Sequence, residues 1–329
     1  MLRGKVAVRK GTTLPAHLHR AKGEGRERTI GVRLARALVA VLALSPPVAL
    51  NRHGDGDGGD VCVVGRGSTL VISTTEAWVE RRFARPLIDD AYLQRRSVLA
   101  RHLQCPGVLT VSAPDSLREE LITGEHVRDA GATASGRVLG SLWQSAAESG
   151  LDADAILSAE RGSRYRQLLQ AAPRADFPGS LRSAVDDTSC QRWLEEVSYP
   201  ISHGDLGEEN LIVTDDGLRV LDVDPRFLGH RPFWFDPITA LMVEDAFHAA
   251  VVQPDLLTVV AENLARGTHH PVPDDAHVRE VLLSLCALWS VLMAMGVRSD
   301  PGLDRERPWT PARVQKVVDY WERRPKELV

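Results

Sequence analysis

Two short apolar runs, Leu211–Val213 and Leu218–Leu221, flank Asp215-Asp216-Gly217. An Asp-Gly turn between apolar runs is a strong local signal for a β-hairpin. Such a hairpin carries Asn210 at the entry of one strand and Asp222 at the exit of the other, side by side at its open end. Asp205 lies just before the first strand, so one amide and two carboxylates spread over 17 positions are predicted at one mouth. Short oxygen-bearing side chains of this kind suit Mg2+, which takes one or two carboxylates and keeps several waters. They also suit phosphoryl transfer, where catalysis is metal on the phosphates plus a carboxylate that orients a hydroxyl and takes its proton. The competing structural reading is that Asp205 and Asn210 cap turns and Asp222 ends a strand by accepting from backbone N–H groups.

The rest of the chain is long enough for one large domain or two modest ones, at 329 residues. Apolar residues at 43% and charged residues at 26% exclude a wholly disordered chain. A net charge of −4 disfavours wholesale nucleic-acid binding. The four cysteines, Cys62, Cys105, Cys190 and Cys286, form no Cys-x-x-Cys pair and read as reduced residues of a cytoplasmic protein. The cations are mostly arginine, 35 against five lysines, and no lysine stands between residues 23 and 315.

Residues 1–28 carry eight basic and two acidic side chains and read as a flexible basic tail. Residues 29–60 are predicted as a helix, Thr29 to Leu44, followed by a Gly/Asp loop. A basic start before a short apolar run is also how a signal peptide reads, but the run Ala37–Leu44 is too short to span a bilayer, so no membrane is expected. The loop's Asp-Gly-Asp-Gly lacks the acidic twelfth position of a calcium loop. Val61-Cys-Val-Val64, Thr69–Ser73, Ala77–Phe83, Val108–Val111 and Glu119–Ile122 read as strands, with a helix over 89–103. Beyond Gly124 the pattern is helical: 136–149, 181–197, 236–252, 256–266, 275–295 and 310–323. The expected architecture is α+β, with a small β-rich lobe over 61–122 and a large helical lobe over 123–329.

With the motif in place, a family resemblance is clear. His203-Gly204-Asp205, Asn210 five positions on, Asp222-Val223-Asp224, then Gly229 and Asp236 resemble the aminoglycoside phosphotransferase family of the protein-kinase-like superfamily. The resemblance implies a bilobal kinase-like fold and a catalytic base at Asp205. Asn210 and Asp222 would hold magnesium, with Asp224 assisting, and Asp236 would be a structural or acceptor-side acid. It implies ATP and Mg2+ as cofactors. It further implies a glycine turn over the phosphates, for which Gly65 and Gly67 stand, and a hinge around Glu120. The third strand of the family carries a lysine and the next helix a glutamate. Here Arg81 or Arg82 stands in the strand and Arg96 in the helix. An arginine fork grips phosphate with a geometry different from a lysine's.

Residues 199–260 hold eleven acidic residues and three arginines, a field that attracts cations. Pro232-Phe233-Trp234-Phe235 offers aromatics either to stack on a substrate or to lock the loop onto the helices. Three readings follow. The first is an ATP-dependent kinase acting on a hydroxyl of a small natural product or antibiotic. The second is a Ser/Thr kinase of a precursor peptide, with a partner protein. The third is a nucleotide-binding scaffold without turnover.

Overall fold

The computed structural model describes residues 6–8, 61–64, 68–73, 76–127, 131–186, 188–207, 210–214, 217–268, 272, 274–298 and 308–329. The helix expected at 29–44, the Gly/Asp loop, Gly65, Gly67 and the Asp215-Asp216 turn lie outside these residues. The chain divides into two compact units: residues 1–93 with 106–123, and residues 94–105 with 124–329.

The first unit is one antiparallel sheet. Its strands are β1 (Val6–Val8), β2 (Val61–Val64), β3 (Ser68–Ser73), β4 (Trp78–Phe83), β5 (Val108–Ala113) and β6 (Ser116–Glu120). Their order is β1-β2-β3-β4-β6-β5. β1 lies inside the segment read as a flexible tail; Val-Ala-Val is a short β-favouring run and pairs antiparallel with β2. Strand β6 begins three residues earlier than the apolar pattern suggests, because Pro114-Asp115 turns the chain directly back from β5. In β4, opposite the β6 register, side chains alternate between faces. Trp78, Glu80 and Arg82 share one face, and Val79, Arg81 and Phe83 the other. The outermost strand, β5, leaves Val108, Leu109 and Val111 exposed.

A helix, α1 (Asp90–Leu99), leads from β4 to β5. The second unit is mainly helical. Its first helices are α2 (Gly131–Leu151), α3 (Ala155–Gln170), α4 (Gly179–Asp186) and α5 (Thr188–Glu195). Then come α6 (Phe235–Val243), α7 (Asp245–His248), α8 (Pro254–Thr268), α9 (Asp275–Ala294) and α10 (Pro311–Trp321). Helix α9 sits at the centre, packed by α10, α8, α6 and α4. It is long and apolar enough to cross a membrane by length and composition, yet most of it is buried here as a core helix.

Two predicted helices break. The one expected at 236–252 is interrupted at Glu244, whose extended backbone separates α6 from α7. The one expected at 181–197 divides into α4 and α5. Helix α3 has no counterpart in the sequence reading. Its face is mostly polar, and only Gly162, Tyr165 and Leu169 are buried. Gly162 lets α3 approach α5 closely: a β-carbon there would lie 2.6 Å from the Leu194 carbonyl oxygen.

Candidate active site

The site is built on short strands of the helical unit. β9 (Leu211–Thr214) and β10 (Gly217–Val220) form the hairpin in the expected register, Leu211 opposite Val220 and Thr214 opposite Gly217. A two-residue strand, β7 (Glu125–His126), extends β9. The pair β8 (Ile201–Ser202) and β11 (Gly229–His230) frames the loop that carries Asp205.

The loop and the hairpin are tied by direct bonds. The Leu221 amide donates to the Asn210 carbonyl at 2.8 Å, so the two strand ends meet. Asn210 Nδ2 donates to the Asp205 carbonyl at 2.8 Å and fixes the loop to the hairpin. Asn210 is 2% exposed, and its other polar atom, Oδ1, is buried without a hydrogen-bond partner. Asp222 follows one residue after Leu221 with φ 56°, in the left-handed region that only Asn, Asp and Gly visit at modest cost. Departures of this kind gather at functional sites, where surrounding structure holds them.

His203 closes the back of the loop. Its Nδ1 accepts from the Asp205 amide at 3.3 Å, so Nε2 carries the proton and donates to the Leu221 carbonyl at 2.8 Å. Burial pushes its pKa below the usual histidine value against the pull of Asp236 and Asp205, and the ring is neutral. It is a brace and not a base. Gly204 next to it has φ +78°, and a β-carbon there would lie 2.4 Å from the Phe227 carbonyl oxygen.

Asp236, in the first turn of α6, anchors the loop from the helix side. Its Oδ1 accepts from Ser202 Oγ at 2.8 Å and the Gly204 amide at 2.9 Å, and its Oδ2 from the His203 amide at 2.7 Å. These three bonds give Asp236 a structural part in holding the loop. Asp224 is likewise engaged: both its oxygens accept from the Arg226 guanidinium, and Oδ1 also accepts from the Arg226 amide at 2.8 Å. That pairing raises the Arg226 pKa further. Asp205 points outward, with its side chain 21% exposed, and its Oδ1 accepts from Arg298 Nη2. Arg298 lies 93 residues from Asp205, and the sequence reading passed over it. The aromatic run is buried throughout; Trp234 Nε1 donates to the Trp193 carbonyl at 2.8 Å, so these rings lock the loop to the helices. Of the acidic residues in this stretch, Asp205 meets Arg298, Asp224 meets Arg226, and Asp236 meets Ser202 and two backbone amides.

In the β-rich unit, Arg82 donates to Glu80 at 2.7 Å and Arg118 to the same carboxylate at 3.0 Å, stacked on Trp78. Burial alone raises the Glu80 pKa, but hydrogen bonds from Arg82, Arg118 and Ser116 outweigh it and hold the carboxyl below its usual value. Arg81 is buried on the opposite face of the strand. Arg96 is buried in α1. At Glu120 the amide donates to the Gly107 carbonyl at 2.9 Å, and the Leu121 amide to the Ala77 carbonyl at 3.0 Å, so both N–H groups of the expected hinge are engaged. The cysteines described with side chains, Cys105, Cys190 and Cys286, are free thiols. Burial pushes the pKa of Cys286 up to about 12, which leaves it inert.

Among the described residues, no three of His, Cys, Asp and Glu converge as a metal-ligand cluster. The unpartnered Asn210 Oδ1 is an oxygen that a divalent cation could take as a ligand.

No family model matches the chain, and no curated protein matches it either. Among solved structures, an aminoglycoside phosphotransferase from Streptomyces rimosus is similar at 16% identity and TM-score 0.40, over 78% of this chain and 98% of that one. The choline kinase LicA from Streptococcus pneumoniae is similar at 14% identity and TM-score 0.41, over 88% and 98% of the two chains. An ethanolamine kinase from Plasmodium vivax is similar at 9% identity and TM-score 0.46, over 95% and 96%.

Proposed function

We propose that this protein is an ATP- and Mg2+-dependent phosphotransferase that moves the γ-phosphoryl group to a hydroxyl of a small molecule. The observation that carries the reading is Asn210. One end of its amide holds the loop of Asp205, and the other presents a buried oxygen with no protein partner beside a left-handed Asp222. A buried acceptor left unmade is costly unless a ligand completes it. Asn210 and Asp222 would hold the magnesium. Bound there, the ion supplies charge neutralisation on the phosphates.

Asp205 keeps one carboxylate oxygen beside Arg298 and receives the acceptor's proton on the other. The acceptor oxygen forms a bond to phosphorus, the bond from phosphorus to the bridging oxygen breaks, and ADP leaves. Asp224, with both oxygens on Arg226, braces the turn after Asp222. Of the two arginines offered for the phosphates in the β-rich unit, Arg82 belongs to the Glu80 network, and the reading takes Arg81, on the other face of the strand.

The test is transfer of labelled γ-phosphate from ATP with and without Mg2+, to panels of small alcohols and of Ser/Thr peptides. Asp205→Ala is expected to lower the rate by about 10²–10⁴-fold with an unchanged far-UV spectrum. An undiminished rate rejects the assignment. Labelled peptide alone moves the acceptor to a polypeptide. Nucleotide binding with no transfer to any acceptor or to water makes the protein a scaffold.

A further inference from the structure

Arg298 holds the catalytic carboxylate with one nitrogen of its fork, and the rest of the guanidinium is uncommitted. Its Nε is buried without a hydrogen-bond partner, and its side chain is 32% exposed. The group is held in place at several points. Its plane lies over the Phe227 ring, 4.5 Å from the centroid. Its own carbonyl accepts from Arg231 Nη2, and the preceding Val297 carbonyl accepts from Arg231 Nε at 3.3 Å. Arg231 is fully buried and also donates to the Gly229 carbonyl at 3.3 Å, so the segment after α9 is tied to the strand that frames the loop. Gly296, at φ +80°, makes the turn that delivers Arg298 there.

We infer that Arg298 is a phosphoryl-gripping residue: Nη2 orients Asp205 and Nη1 contacts the γ-phosphate oxygens during transfer. This rests on the phosphotransferase reading above. Between residues 23 and 315 every Lys/Arg position is an arginine. Arg298 is the guanidinium in contact with the base itself. A planar fork spans a carboxylate and a phosphate oxygen at once, which an ammonium on a flexible stem does less well. In the step itself Arg298 gains and loses no proton; the hydroxyl proton goes to Asp205 and the leaving electron pair to the ADP oxygen.

The experiment is calorimetric binding of Mg-AMP-PNP and Mg-ADP to the full chain, to Arg298→Ala, to Arg298→Lys, and to Arg298→Ala made in an Asp205→Asn background. Arg298→Ala is expected to weaken AMP-PNP about 10- to 100-fold, the range of a lost charge-assisted contact, while ADP changes less than about twofold. Arg298→Lys recovers part of the loss. The same selective loss in the Asp205→Asn background shows that the contact is with phosphate; its disappearance there shows that Arg298 merely neutralises Asp205, and overturns the inference. Equal losses for both nucleotides, or none, also overturn it and leave the phosphotransferase reading standing. A wild-type chain that binds neither nucleotide removes that reading and this one together.

Discussion

The imidazole of His203 donates from Nε2 to the carbonyl of Leu221, 2.8 Å away and 18 residues on. This bond joins the loop carrying Asp205 to the strand end that precedes Asp222, and the Asp205 amide, which donates to Nδ1, requires that nitrogen to be unprotonated. The proton economy of the loop therefore has a direction. Burial lowers the folded-state pKa of His203, whereas the unfolded chain titrates near about 6.5. Between the two values the unfolded state binds the extra proton, so stability falls as pH drops through that range and levels off below the folded value. The slope approaches about 1.4 kcal/mol per pH unit at its steepest. Urea midpoints measured from pH 7.5 to 5 are expected to fall in the wild type and to fall less in His203→Gln, which keeps a donor for Leu221. Parallel curves for the two proteins would place the proton uptake elsewhere.

Gly204→Ala is expected to destabilise the helical unit by about 2 kcal/mol or more. A left-handed backbone costs an L side chain roughly 1–2 kcal/mol. The new β-carbon would also meet the Phe227 carbonyl oxygen at 2.4 Å and the Arg231 guanidinium carbon at 2.7 Å. Denaturant titration reads the loss; a change under about 0.5 kcal/mol, the size of an ordinary surface substitution, would mean the loop has room to turn over.

Asp236→Asn replaces a carboxylate that accepts three hydrogen bonds by an amide with one acceptor. Its NH2 group would face a donor. The expected cost is about 3–5 kcal/mol, with phosphate transfer lost because the Asp205 loop is released. Ser202→Ala removes one of the three bonds and leaves the two backbone contacts; about 1.5–3 kcal/mol is expected. The two variants should therefore rank in that order in thermal melts, and the reverse order would contradict the geometry.

Asn210→Ala separates the two ends of one side chain by what can restore them. Nucleotide binding is expected to require at least about tenfold more Mg2+, the scale of a lost metal-side contact. Asn210→Asp keeps an oxygen for the ion but sets it, or its partner oxygen, against the Asp205 carbonyl. It should keep more Mg2+ dependence than the alanine variant and lose more stability. Magnesium titrations followed by nucleotide fluorescence check the first expectation, and urea curves the second.

The hairpin was legible because Asp215-Asp216-Gly217 and its flanking apolar runs are local signals, and register then follows from the turn. The roles within the loop were less so. Asp236 anchoring three donors, Asp224 paired to Arg226 and the burial of Trp234 are matters of where side chains turn, which spacing does not encode. Helix α3 escaped because its apolar face is a narrow strip, with Gly162 where a propensity argument expects a break. The break at Glu244 escaped for the opposite reason, since apolar periodicity runs on through it. Arg298 had no local signal: it reaches Asp205 only through the Arg231 carbonyl contacts, which join residues 66 and 67 positions apart.

Arg231 is among the largest fully buried side chains of the unit, and the carbonyls around it come from both sides of that long interval. A protease cut or a stop codon ahead of Val297 would therefore do more than shorten the protein. It would strand a permanent cation in an apolar interior with most of its shelter gone, so the tail end of the chain and the loop of Asp205 should melt as one cooperative event.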